Sequence, residues 1–364
     1  MIRIAGSVSK GWLARQLDVV FDRDYYFDPA RRHAIDVRCN EHVRRTLVDL
    51  NVFYTEANLG RIEYHGADQV LVGGIQPNML VGMLMGATFV PTDHADADIS
   101  PRCMAELDVA RLPDPDSLLA HPLVRQFDEQ VAAIRADANR RLRPVPPLFW
   151  DTSGRAAVHG AMTSGLKFFG DDFLMQMLTD ADRCRVVIEW LTDVSASLVA
   201  HFSRIGDVPV TRIHVGECAS CMIDAANFAR FVVPATSRLG RRFGTVRFHS
   251  CGRNDHLVEV FPSIEGLAEL DVGGETSVAR IRQVLGRDFP IGICPLVDHM
   301  ASGSAEGILE WYRRVRDEND GGDLTIGYHL EAEYNVENLR VLHRAVHRDD
   351  EPPCLNHGQP TFGT

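Results

Sequence analysis

The chain is short of positive charge. Its 364 residues include 38 Lys and Arg against 50 Asp and Glu, which gives a net charge of −12 at pH 7. No run of Lys and Arg stands out along the sequence. A surface that binds nucleic acid needs such basic residues to neutralise phosphates, so nucleic acid is not an expected partner. The surplus of acidic groups indicates a solvated protein surface instead.

Long apolar segments are missing as well. The N-terminal segment lacks the continuous apolar core of a secretory signal peptide. The longest apolar stretch, residues 79–91, is too short to cross a bilayer and is interrupted by glycines and Thr88. The eight cysteines are scattered over a chain that is large enough to bury a core without disulfides. These features predict a cytoplasmic protein with no membrane partner.

The second half of the chain alternates regularly between short apolar strands and helices. Strand patterns occur at residues 156–159, 212–215, 245–248, 267–270, 290–293 and 324–327. This alternation is typical of parallel β/α units, and a barrel is their commonest arrangement at this length. We therefore predict an α/β fold, a (β/α)8 TIM-type barrel over residues 71–364. Residues 1–70 are predicted to form an N-terminal extension that packs on the barrel within a single structural domain.

Reactive side chains gather where the predicted strands end. They are Glu217, His249, Cys251, Asp271, Cys294, His299, Tyr328 and His329. The carboxyl ends of barrel strands converge on one mouth, where barrel enzymes build their active sites. This placement predicts one site that is formed by residues from several strands.

The triplet at residues 249–251 is the sharpest of these features. In an extended segment, residues two apart point to the same side, so the imidazole of His249 and the thiolate of Cys251 can bind one ion. Zinc suits such a pair of nitrogen and sulfur ligands. A third ligand has to come from another strand. His329 is the first candidate, and Glu217 is an alternative or a fourth ligand.

Cys218 and Cys221 are separated by two residues, a spacing that occurs in zinc knuckles and in redox pairs. The sequence has no second pair with this spacing, and the residues after Glu217 lead into a helix. We therefore expect both cysteines to be packing residues.

Several blocks between about residues 158 and 346 resemble the uroporphyrinogen decarboxylase superfamily, which includes zinc-dependent methyltransferases of corrinoid and related systems. Residues 217–220 (ECAS) are similar to the EPAS-type strand end of the methyltransferase branch. Residues 248–252 (FHSCG) are similar to its H-x-C-G zinc motif. The arginine-rich motif that holds substrate carboxylates in the decarboxylases has no counterpart here. The resemblance therefore points to the methyltransferase branch.

One position departs from that branch. In the methyltransferases a cysteine follows the glycine of the last strand, whereas Tyr328 follows Gly327 here. His329 comes one residue later, so it would need a shifted strand register or a different arrangement of ligands to reach the metal.

The resemblance implies methyl transfer to a thiol. A zinc ion would bind the thiol substrate, lower its pKa and present a thiolate to an electrophilic methyl group. The methyl donor would be a methylated corrinoid (a cobalamin) on a partner protein, or a small methylated molecule such as a folate. Barrels of this family often pair, so the resemblance also implies a homodimer.

The resemblance and the strand ends together assign roles to the site residues. The expected metal ligands are His249, Cys251 and His329. The expected catalytic residues are Glu217 and Tyr328. The expected substrate-binding residues are Asp271, Cys294, His299 and Arg253.

Two other functions stay open. A metal-independent decarboxylase or lyase of the same superfamily would use pocket carboxylates and arginines such as Arg253. A non-catalytic homologue that binds a corrinoid or another ligand would have kept the barrel and lost the chemistry, and Tyr328 is the feature that favours it. Metal content separates the zinc enzyme from the metal-independent one.

Overall fold

The structure, a computed structural model, describes residues 2–50, 52–53, 68–92, 94–137 and 142–350. Its strands are β1 Ile2–Val8, β2 Val52–Phe53, β3 Gln69–Leu71, β4 Phe89–Val90, β5 Asp98–Ile99, β6 Arg143–Val145, β7 Arg155–His159, β8 Arg212–Gly216, β9 Thr245–Ser250, β10 Leu267–Val272, β11 Ile291–Ile293 and β12 Leu324–Leu330.

The α-helices fill most of the intervals between strands. They are α1 Lys10–Gln16, α2 Arg23–Phe27, α3 Pro29–Thr46, α4 Pro77–Leu84, α5 Pro122–Ala136, α6 Ala161–Phe169, α7 Asp172–Thr179, α8 Ala181–Gly206, α9 Ala225–Asn227, α10 Val233–Phe243, α11 Val278–Leu285, α12 Val297–Ser302, α13 Ala305–Asn319 and α14 Val336–Asp350. Within the described part of the chain, no helix has both the length and the apolar character needed to cross a membrane.

Eight parallel strands form the main sheet, in the order β2-β1-β12-β11-β10-β9-β8-β7. From β7 onward, α-helices separate successive strands except between β9 and β10, where 3-10 turns do so, and the predicted α/β fold is confirmed. The order ends at β2 and β7, and no ladder joins these two strands within the described residues. The sheet is therefore compatible with a barrel, but the pairing of β2 with β7 that would close it is not seen among the described residues.

The N-terminal 70 residues contribute directly to this sheet. β1 pairs along its whole length with β12, and β2 pairs with β1. This part of the predicted N-terminal extension is therefore sheet and not only a covering layer. The contact joins residues more than 300 positions apart, which no local sequence pattern encodes.

A second layer of structure lies between β2 and β7 in the chain. Its β3 pairs in parallel with β6, and β4 pairs with β5 in antiparallel fashion. The helices α4 and α5 belong to the same stretch. The segments that follow β3 and β6, at residues 72–77 and 146–150, reach the central pocket described below.

The strands of the main sheet have two distinct faces. On β9, Phe248 packs against Phe228 and Phe261, with ring centroids 5.8 and 5.6 Å away, whereas His249 lines the central pocket. Because successive strand residues point to opposite sides, this alternation defines an outer face toward the helices and an inner face toward the pocket.

Two segments in the second half of the chain depart from a regular α-helix. Residues 255–260 form only the 3-10 turn Asp255–Leu257, and Pro262 in the next turn cannot donate the bond that would extend a helix. A π-turn, Phe228–Val232, separates α9 from α10 just before Pro234.

Candidate metal site and substrate pocket

Three candidate metal ligands meet at the carboxyl ends of β8 and β9. His249 is on β9, Cys251 follows that strand, and Cys218 opens the 3-10 turn Cys218–Met222 after β8. Their donor atoms all lie within 4.8 Å of one another. The Sγ atom of Cys251 is 2.9 Å from Nε2 of His249 and 2.8 Å from Sγ of Cys218. Two thiols and one imidazole therefore face a common point.

A carboxylate fixes the orientation of His249. Nδ1 of His249 is 2.7 Å from Oδ2 of Asp271, and Arg247 donates to the same oxygen at 2.7 Å. With Nδ1 donating to Asp271, loss of one proton from the imidazole leaves its lone pair on Nε2, the atom that faces the two sulfurs. Asp271, expected to bind substrate, is thus placed behind the candidate ligand.

Charges in this group set the protonation states. Burial opposes ionisation of Asp271, but the charges of Arg247 and His249 hold the pKa of its carboxyl well below the usual range. Burial likewise disfavours the imidazolium of His249, but Asp271 raises its pKa to about 9. A metal ion would therefore displace a proton from His249 when it binds.

The two thiols share one negative charge. The hydrogen bond from Cys251, opposed by burial and aided by His249, lowers the pKa of Cys218 to about 4. The same hydrogen bond, together with burial, raises the pKa of Cys251. A bound cation favours deprotonation of both sulfurs.

The chemistry of this donor set fits a zinc ion. Thiolate sulfur and imidazole nitrogen are the ligands that zinc prefers, and catalytic zinc sites have three protein ligands with one position left for water or substrate. Three donors are present here, and Cys251 is exposed on the pocket side. An oxygen-rich site for calcium or magnesium would need carboxylates that this group lacks.

A pocket of about 440 Å³ opens beside these donors. The inner faces of β1, β7, β8, β9 and β12 line it, together with residues 71–77 and 146–150. Phe149 and Trp150 contribute an aromatic wall, and the Trp150 ring lies 4.7 Å from the ring of His214. Burial lowers the pKa of His214 well below its ordinary value, so this pocket imidazole is neutral at physiological pH.

Another part of the pocket wall carries carboxylates. Asp96 and Glu331 line it, and Oδ1 of Asp96 is 2.7 Å from Nζ of the buried Lys10. His329 lies beside them, with Nδ1 at 2.6 Å from Oγ of Ser7 and Nε2 at 3.9 Å from Glu331. This part of the pocket is called the acidic end below.

His329 is thus in the pocket but outside the group of three donors. It is on β12, which β10 and β11 separate from β9 in the sheet. Cys218, expected to be a packing residue, is the third member of the group, while His329 and Glu217 lie outside it. The position of Cys218 directly after β8, the strand next to β9, is the sequence signal that bears on this role.

Glu217 is turned away from the pocket. Its carboxylate accepts hydrogen bonds from the backbone N–H groups of Met162 at 2.9 Å and Thr163 at 2.8 Å. It therefore caps the start of α6, where Gly160 offers no side chain to do so. Burial raises the pKa of Glu217 to about 7. Glu217 is placed as a helix cap and not among the pocket-lining residues.

Tyr328 lies on the outer face of β12. Its hydroxyl is 2.7 Å from Nε2 of His343 on α14, and its ring covers Gly6 of β1, where a Cβ would collide with it. Burial raises the pKa of the Tyr328 phenol. The structure therefore places Tyr328 away from the three donors, on the face of β12 that contacts α14.

The other expected substrate-binding residues also lie off the pocket wall. Arg253 is exposed and its Nε donates to Asp255 at 2.6 Å. Cys294 follows β11, and burial with the nearby charge of Asp271 raises the pKa of its thiol. His299 is in α12, where its backbone carbonyl accepts from Asn338 at 2.9 Å. None of the three is among the described residues that line the pocket.

Similarity to known proteins is found among solved structures. Models of protein families give no match, and neither do curated proteins. A methyltransferase from Methanosarcina mazei matches with a TM-score of 0.62 and 11% sequence identity, over 96% of this chain and 94% of that chain. This similarity shows that the two chains share an α/β fold.

A second structure, the B12-independent methionine synthase from Shewanella sp. W3-18-1 in complex with selenomethionine, matches with a TM-score of 0.42 and 10% identity. It covers 96% of this chain and 98% of that chain. A TM-score this low supports no further conclusion. At these identities the comparisons speak to the fold, and the function has to be argued from the site.

Proposed function

We propose that this chain is a zinc-dependent methyltransferase that activates a thiol substrate. The observation that carries the proposal is the convergence of Cys218, His249 and Cys251 on one point of the pocket wall. A bound zinc ion would lower the pKa of a substrate thiol, so that a nucleophilic thiolate is present at neutral pH. The methyltransferase with the same fold is consistent with this chemistry.

The chain's own residues have separable tasks in this proposal. Cys218, His249 and Cys251 hold the ion, and Asp271 keeps Nε2 of His249 directed toward it. Glu217 anchors the start of the turn that carries Cys218 by its bonds to α6. The aromatic wall limits the water that reaches the thiolate, which keeps the nucleophile reactive toward a methyl group.

The remaining parts of the proposal concern the complete barrel, the methyl donor, the cellular compartment and the assembly. We propose that β2 and β7 complete a (β/α)8 barrel, and that residues 1–70 and 71–364 act as one domain. The methyl donor is a methylated corrinoid, carried by a partner protein, or a methylated folate. The free cysteines favour a reducing compartment such as the cytoplasm. A homodimer is the assembly that the family resemblance favours.

The metal-independent lyase has less support. Its candidate cation, Arg253, is exposed and paired with Asp255. Among the described residues that line the pocket there is no arginine or lysine to hold a substrate carboxylate.

Metal content and methyl transfer together test the proposal. Protein purified without added metal or chelator should contain about one zinc per chain, and Cys251→Ser should lose it. Cys221→Ser is the matched control, because Cys221 lies beside the group but donates to the backbone oxygen of Cys218. The zinc-loaded protein should transfer methyl groups from methylcobalamin or a methylated folate to a small thiol. A wild-type chain that binds no zinc after reconstitution would contradict the proposal.

A further inference from the structure

The charges around the pocket restrict the thiols that it can take. Among the described residues that line the pocket, Asp96 and Glu331 carry carboxylates, and none is an arginine or a lysine. Burial disfavours ionisation of Asp96, but the ammonium group of Lys10 lowers its pKa, so Asp96 is charged. The metal group adds no net charge, because two thiolates balance a divalent ion.

The ammonium group of Lys10, next to Asp96, does not cancel the negative charge of the pocket wall. Lys10 is buried, with 3% of its side chain exposed, and its ammonium group is 2.7 Å from Asp96. Asp96 keeps 39% of its side chain exposed, and Glu331 keeps 44%. Arg32 also lowers the pKa of Asp96, but its guanidinium is paired with the buried Asp36. Asp96 and Glu331 are the carboxylates at this end that remain accessible. The acidic end carries an excess of negative charge toward the pocket.

We propose that the thiol substrate carries a cationic group, such as an ammonium, and no anionic group. This inference rests on the proposed function, since the sulfur has to reach Cys218, His249 and Cys251. Both groups line one pocket, so the ammonium group would be directed toward Asp96 and Glu331 while the thiol lies at the donors. A carboxylate, sulfonate or phosphate in the same place would meet like charges and lose its hydration shell without gaining a partner.

Three thiols of matched length test the inference: cysteamine, 2-mercaptoethanol and 3-mercaptopropionate. Binding to the zinc-loaded protein is measured by calorimetry at pH 8, where an ordinary imidazole is uncharged. Cysteamine should bind about fivefold more tightly than 2-mercaptoethanol, since one partly exposed ion pair contributes on this scale. 3-Mercaptopropionate should bind more weakly than the neutral thiol.

Two glutamate variants assign the effect to the pocket. Glu331→Gln should remove most of the preference for cysteamine and leave the affinity for 2-mercaptoethanol unchanged. Glu333→Gln is the matched control, because Glu333 is two residues away, is paired with Arg15 and lies outside this pocket. Asp96→Asn leaves Lys10 without this counter-charge and should shift the preference toward 3-mercaptopropionate, provided that circular dichroism shows a folded protein.

The outcomes separate the inference from the proposed function. A protein that binds no zinc contradicts the proposed function, and the inference fails with it. A zinc-loaded protein that binds the three thiols equally, or 3-mercaptopropionate best, overturns the inference alone. Loss of the preference in Glu333→Gln as well as in Glu331→Gln also overturns it, because the effect would then come from the general field of the surface.

Discussion

Neighbouring residues on β9 and on β12 lie in opposite environments. On β9, His249 faces the pocket and the two sulfurs, while Phe248 packs among aromatic rings under the helices. On β12, His329 faces the pocket, while Tyr328 is bonded to His343 of α14. The inner face thus presents polar groups to a ligand and the outer face attaches the sheet to its helices. Substitutions on the two faces should therefore separate metal binding from stability.

The sharpest contrast within the inner face is between Cys218 and His329. Cys218→Ser should weaken zinc binding more than about 100-fold, since loss of a partner behind a ligand already costs about 10–100-fold. His329→Ala should keep its zinc, because His329 is outside the group of three donors. Zinc affinity is measured by competition with a chromogenic chelator. Zinc loss in His329→Ala alone would reverse the assignment.

The next substitution changes Asp271, which contacts Nδ1 of the proposed ligand His249. Asp271→Asn keeps an acceptor for Nδ1 of His249 but removes the charge that favours its orientation, so zinc affinity should fall about tenfold. The control is Arg253→Ala, an exposed position two residues beyond Cys251, where no change is expected. The same competition measurement applies. An unchanged affinity in Asp271→Asn would mean that the carboxylate does not act through His249.

His343, the hydrogen-bond partner of Tyr328 on the outer face, should make the free energy of unfolding depend on pH. Burial, reinforced by His347 and opposed by Asp49, lowers the pKa of His343 to about 4. Between that value and the ordinary pKa of about 6.5, the unfolded chain binds the proton more readily, so stability falls as the pH falls. From pH 7 to pH 5 this amounts to about 2 kcal/mol in the free energy of unfolding.

His343→Gln isolates that contribution, because glutamine can still accept from Tyr328 and does not titrate. Urea unfolding at pH 7 and pH 5 should show a smaller loss of stability in the variant than in the wild type. Equal losses in the two proteins would mean that His343 is not buried in its neutral form. Zinc affinity at pH 7 should be the same in both.

Tyr328→Phe is expected to have the smallest effect. It removes one buried hydrogen bond and leaves Nε2 of His343 without that partner, which costs roughly 1–2 kcal/mol in the free energy of unfolding. Methyl transfer and zinc content should be unchanged when compared with the wild type. A strong loss of activity with normal stability would return Tyr328 to the catalytic residues and break the division between the faces.

Strand periodicity carries much of this division in the sequence itself. On β12, the apolar residues Leu324 and Ile326 share their phase with Tyr328, while His329 falls in the opposite phase. The alternation therefore places Tyr328 outside, although its position at a predicted strand end suggested the pocket. His249 and Cys251 were assigned to one site by the same period of two, and the structure brings them together.

Strand periodicity could not predict that Cys218 is the third donor or that β1 belongs to the main sheet. Cys218 reaches the group because a 3-10 turn follows β8 and because β8 lies next to β9. Neither the turn type nor the distance across the sheet follows from the spacing of Cys218 and Cys221. The pairing of β1 could not be predicted for the same reason, because its partner β12 is at the other end of the chain. Contacts between distant segments depend on the whole packing arrangement and not on local pattern.

The space left by Gly160 matters for any effort to give this protein a new substrate. A Cβ at that position would overlap the carboxylate of Glu217, whose neighbour Cys218 is a proposed ligand. A larger residue at 160, at the start of α6, would therefore displace Glu217 and with it a proposed ligand, without itself reaching the donor group. Directed-evolution libraries should vary positions 160 and 217 together, so that compatible pairs of side chains can be found.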